Sequence, residues 1–132
     1  MTMNKQQTEM NKEFVPYELA LELKQLGFDE PCLATIDQTD FIHIKGTEYP
    51  IRGAMIYDTI DCPTYSQAFR WFREKYGLCI VIKPIDDKKL DLGYNLLKNG
   101  LIMNAHLTYE GAELACLRNL IKIVKEQTNG KQ

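Results

Sequence analysis

Apolar residues recur at helical spacing in three places along the chain. Leu19, Leu23 and Leu26 share one stripe. They predict a helix over Tyr17–Leu26, opened by Pro16, whose missing N–H costs nothing in a first turn, and closed by Gly27. Tyr65, Ala68, Phe69, Phe72 and Tyr76, widened by Trp71, predict a second helix over Tyr65–Tyr76, closed by Gly77. Leu114, Leu117, Ile121 and Val124 form the buried stripe of a third. Thr108 caps this helix, Glu110 and Glu113 stand near its positive end, and Arg118, Lys122 and Lys125 stand toward its negative end. Leu23, Phe69, Phe72, Ile80, Leu117 and Ile121 are the expected core.

Between the helices the pattern shortens to that of strands. Cys32–Ile36 and Phe41–Lys45 flank the turn Asp37-Gln-Thr-Asp40 and read as a hairpin. Leu78–Ile82 is a continuous apolar run, as in a strand covered on both faces, and Pro84 ends it. Leu92–Leu97 and Leu101–Leu107 enclose Asn99-Gly100, the strongest two-residue hairpin signal, with the turn Asp86-Asp-Lys-Lys89 before them. Residues 46–63 are broken by Gly46, Pro50, Gly53 and Pro63. They read as a loop that covers or binds something, with a short edge strand over Ala54–Tyr57. The expected fold class is α+β: a mostly antiparallel sheet with three helices on one face, in the order α-β-β-(β)-α-β-β-β-α. Residues 1–12 are polar and aperiodic and read as a disordered arm, 13–127 as one domain, and 128–132 as a frayed tail.

Each helix opens with Tyr-x-x-Ala: Tyr17 to Ala20, Tyr65 to Ala68 and Tyr109 to Ala112. Shared helix-start chemistry accounts for this more simply than duplication does.

The chain has 132 residues, 45% apolar and 26% charged, with a net charge of −2. Its isoelectric point is about 5.7. This balance excludes a strongly basic nucleic-acid binder. The longest apolar run, Leu78–Ile82, is far short of the roughly 20 residues a membrane helix needs. The polar start carries no expectation of a signal peptide. Cys32, Cys62, Cys79 and Cys116 lack the close spacing of a zinc site and read as buried free thiols in a cytoplasmic protein. No metal or cofactor is expected.

Three segments carry a resemblance: FVPYELALELKQLGFDEPC (Phe14–Cys32), PTYSQAFRWFREKYGL (Pro63–Leu78) and TYEGAELACLRNLIKIVKE (Thr108–Glu126). In this order they resemble an uncharacterised family of small proteins of phages and prophages of Bacteroidetes-type bacteria. Gly111 departs from the glutamate expected there. The resemblance implies a bacterial or phage cytoplasm and an accessory role, and it brings no catalytic or binding residues with it. A second resemblance is topological. Tyr65–Glu126 has the α-β-β-β-α order of double-stranded RNA-binding domains, which clamp phosphates with cations where the last helix begins. Glu110 and Glu113 stand there instead, so nucleic acid is not an expected partner.

Arg70 and Arg73, three apart on the second helix, offer guanidinium forks for a phosphate, and Trp71, Tyr65 and Tyr57 offer faces for a base. The alternative is that the aromatics are core and the arginines pair with Glu74 or loop aspartates. His43 and His106, with Asp58, Asp61, Asp86, Asp87 and Asp91, are acid–base candidates by type alone, and no catalytic motif joins them. The reading is therefore a small non-enzymatic binding protein of a phage or mobile element. It sequesters a host protein or a small anionic, nucleotide-like ligand against host defence. A protein–protein interaction module without a pocket and a hydrolase with an unrecognised site are the alternatives. An open sheet face with few charges further predicts a homodimer.

Overall fold

The structure, a computed structural model, describes residues 5–46, 58–86, 89–96, 101–106 and 108–129. It is α+β, with four helices and two three-stranded antiparallel sheets among the described residues. The chain divides into two compact units, Met1–Thr64 and Tyr65–Gln132, and its strands form two sheets where the periodicity suggested one.

The first unit holds α1 (Lys5–Glu13), α2 (Tyr17–Gln25), β1 (Ala34–Asp37), β2 (Ile42–Ile44) and β3 (Thr59–Cys62). Helix α2 ends as its leucines and Gly27 require. Gly27 takes φ 101°, its N–H donates to Lys24 O, and Phe28 N–H donates to Leu23 O. This is the glycine-closed helix end in which the residue beyond the glycine packs back on the last turn, and Leu23 and Phe28 are both buried. The sheet runs β2-β1-β3, with Ile36 opposite Ile42 on one side and Ile60 on the other. Its core is Val15, Leu19, Leu23, Ala34, Ile36 and Ile42.

Two departures from the sequence reading share one cause. The polar segment read as an arm is helix α1, and part of the segment read as loop is strand β3. Neither carries an apolar stripe of its own. Gln7 of α1 is buried, donating through Nε2 to Ile42 O at 3.0 Å and accepting from Ile42 N–H at 3.0 Å through Oε1. Its carboxamide thus pairs with the open side of β2 as a further strand would, and β3 forms because β1 offers a second side. The expected edge strand Ala54–Tyr57 lies outside the described residues, as does the Asn99-Gly100 turn.

The second unit holds α3 (Tyr65–Tyr76), β4 (Ile80–Asp86), β5 (Lys89–Leu96), β6 (Leu101–His106) and α4 (Tyr109–Asn129). The sheet is a meander, β4-β5-β6. Strand β4 continues through Pro84, which the sequence reading took as its end. Proline lacks a ladder donor, but β4 is an edge strand, and the register shifts between Pro84 and Asp86. Thr108 caps α4, its Oγ1 accepting from Gly111 N–H at 3.0 Å. The helix runs into the expected frayed tail as far as Asn129, with Thr128 Oγ1 donating to Val124 O. Its buried face is Ala112, Cys116, Leu117, Leu120, Ile121 and Val124. Leu114 is only half-buried, so the face is rotated slightly from the expected stripe.

The three Tyr-x-x-Ala starts have a packing reason, since Ala20, Ala68 and Ala112 are all buried. The sheets do not support duplication. The first strand is central in one unit and the second strand in the other.

Candidate functional site

Helix α3 has two faces. Tyr65, Ala68, Trp71 and Phe72 are buried. Next to this arc runs a stripe at i, i+3, i+4 and i+7: Ser66, Phe69, Arg70 and Arg73. Beyond the helix, Gly77 takes φ 68°, a region costly to residues with a side chain. Its N–H donates to Arg73 O at 3.1 Å, and Leu78 N–H donates to Phe72 O at 3.3 Å. The chain reverses there, and Cys79 and Ile80 return beside the stripe. Together these six residues line a pocket of about 400 Å³.

The sequence-derived candidates separate here. Arg70 and Arg73 line the pocket together and are exposed. Trp71 and Tyr65 are buried on the other arc and do not line it. Trp71 packs edge-on against Phe72 and Tyr76, with ring centroids 5.0 and 5.4 Å away, and Lys75 Nζ sits 5.0 Å from its ring. Tyr65 stands 6.1 Å from Phe69. Tyr57 lies outside the described residues. Phe69 and Ile80, expected in the core, are only half-buried, and both line the pocket. The apolar surface that a core would have covered is here the wall of a cleft. Helical spacing could have flagged Ser66 and Phe69 as neighbours of the arginines, whereas nothing in the sequence joins Cys79 and Ile80 to them.

Charge makes this pocket distinctive. Among the described residues neither guanidinium forms an ion pair, with Glu74 or any other carboxylate, and no lining residue is acidic. A larger cleft of about 570 Å³ in the first unit is lined by Ala20, Lys24, Gly27, Phe28, Asp29, Thr59, Ile60 and Asp61. Its charges are of both signs, and Asp61 is already held by Lys45 at 2.9 Å. The arginine pocket carries two cations of one sign and two apolar walls.

Burial pushes the Cys32 thiol up to about 11 and those of Cys62 and Cys116 up to about 12, so all three stay protonated at neutral pH. Cys62 donates to Val15 O at 3.0 Å. Cys79 is half-buried rather than buried. His43 stands 3.4 Å from Asp37, a pairing across the hairpin that the sequence reading did not make. The nearby hydroxyl of Thr39 donates to the same carboxylate. Together the three side chains clasp the hairpin. Among the described residues no three His, Cys, Asp or Glu side chains converge on a metal geometry, and no helix is long and apolar enough to cross a membrane.

Compared with protein-family models, curated proteins and solved structures, the chain matches none.

Proposed function

We propose that the protein is a small non-enzymatic binding protein that holds a small anionic, nucleotide-like ligand in the pocket of Arg70 and Arg73. The observation that carries this reading is the pair of guanidiniums without carboxylate partners among the described residues, set at one cleft beside Phe69. Arginine binds phosphate and carboxylate through paired N–H donors, and an aromatic wall takes a flat ring. The phage-type resemblance supplies a setting in which sequestering a nucleotide signal counters host defence. A thermal-shift screen against a nucleotide panel tests the reading. At a ligand concentration about 100 times Kd, binding adds about 2.7 kcal/mol and raises the melting temperature by several degrees. The double variant R70A/R73A loses the shift. A panel that leaves the wild-type melting temperature unmoved overturns the reading.

A second reading, self-association, rests on the sheet edges. Gln7 occupies the β2 edge, and the Lys45–Asp61 ion pair lies at β3. Charges of this kind blunt an edge against pairing. Edge strand β4 instead exposes Val81, at 40%. Pairing through β4 gives a homodimer, and light scattering at micromolar concentration is expected to read about twice the 15.3 kDa chain mass. A monomer mass across the dilution range, or a dimer unaffected by Val81→Lys, overturns it.

A further inference from the structure

Resting on the anion-binding reading above, we propose that the arginine pocket takes nucleoside monophosphates as a class, reading phosphate charge and ring but not base identity. Three features of the lining lead there. First, two guanidiniums supply two positive charges, and no described lining residue is a carboxylate that would offset them. A phosphate monoester carries about −1.5 to −2 near neutral pH and matches that pair, whereas a diester carries a single charge and leaves one guanidinium unmatched.

Second, Phe69 and Ile80 are half-buried and leave part of their surface to the cleft. A nucleobase covers such surface, and a bare phosphate does not. Stacking on an aromatic face depends little on which base is stacked, because every base has one.

Third, the described residues of the wall offer few further groups that distinguish bases. Reading a base edge takes paired donors and acceptors of the kind Arg, Asn, Gln, Asp and Glu supply, and both arginines here are taken up by the phosphate. Among the described residues Ser66 contributes the one hydroxyl side chain of the lining, and no carboxamide or carboxylate is there. A volume of about 400 Å³ lies at the small end for ligand pockets and suits one nucleotide unit rather than two.

Isothermal titration of the full chain with AMP, CMP, GMP, UMP, 3′,5′-cyclic AMP, adenosine and inorganic phosphate tests this. The four monophosphates are expected to bind within about threefold of one another, and cyclic AMP, adenosine and phosphate each at least about tenfold more weakly. R70A/R73A is expected to abolish binding while leaving the far-ultraviolet circular dichroism spectrum unchanged. A preference of about tenfold or more for one base overturns base indifference, and cyclic AMP binding as tightly as AMP overturns the monoester rule. Either result leaves the anion-binding reading standing. If no phosphate-bearing probe binds, or if the double variant binds as tightly as the wild type, both fall.

Discussion

Phe72→Ala is expected to destabilise the protein by about 3–5 kcal/mol, the range for deleting a buried aromatic ring. Phe72 is fully buried at the centre of the α3 inner face. Its ring lies 5.0 Å from that of Trp71 at an interplanar angle of 74°, and 6.1 Å from that of Tyr76. Truncation removes an edge-on aromatic pair as well as the buried area and leaves a cavity that rigid neighbours close only in part. The loss is large beside the 5–15 kcal/mol that holds a typical domain together. Urea unfolding followed by circular dichroism reads it as a fall in midpoint. Phe72→Leu, which keeps most of the volume, is expected to lose less than half as much. A midpoint for the alanine variant within about 0.5 kcal/mol of wild type would mean that the inner face of α3 has been misassigned.

Asp37→Ala is the second large loss, about 2–4 kcal/mol, and it carries a pH signature. The Asp37 carboxylate is fully buried. It accepts from Thr39 N–H at 2.8 Å, from the Thr39 hydroxyl, from Phe41 N–H at 3.3 Å and, at 3.4 Å, meets His43 Nε2. Burial alone would raise its pKa. The hydrogen bonds from Thr39, His43 and Phe41 outweigh burial and hold it below the ordinary carboxylate value. A carboxyl group with a lowered native pKa stabilises the fold fully above its unfolded pKa, near 4. That contribution is lost as pH falls through the native value. The stability gap between wild type and Asp37→Ala is therefore expected to be widest near neutral pH and to narrow below about pH 4. Paired urea titrations at pH 7 and in acid measure it. A gap independent of pH would assign the effect to packing and remove the charge from the account.

Much of the fold is legible along the chain because helix periodicity and helix ends are local. The stripe of α2 and the closure at Gly27 lie within a dozen residues of each other, as do those of α3 and Gly77. The turn at residues 37–40 is legible for the same reason: Asp and Asn side chains satisfy the backbone within a few residues. What those side chains do further away is not. Asp40, at φ 64°, sends Oδ1 to the N–H of Tyr17 at 2.8 Å and so caps α2, where Pro16 offers no capping side chain. The partners are 23 residues apart.

Distance along the chain also separates what was legible of the candidate site from what was not. Arg70 and Arg73 share a face by spacing alone, and the sequence alone determined that they and Phe69 lie on one helix. Whether Phe69 would be core or cleft depended on what the chain placed over it after Gly77. Only the tertiary structure decided that, returning Cys79 and Ile80 along the stripe while Trp71 and Tyr65 turned inward. In the same way α1 has no apolar stripe, and its place rests on two carboxamides, Gln7 meeting the strand at Ile42, 35 residues away, and Asn11 donating to Asp40 O, 29 residues away. Periodicity reports which side of an element avoids water. It carries no information about which open strand edge or helix flank will be covered, because that depends on pairings between segments with no local signal for each other.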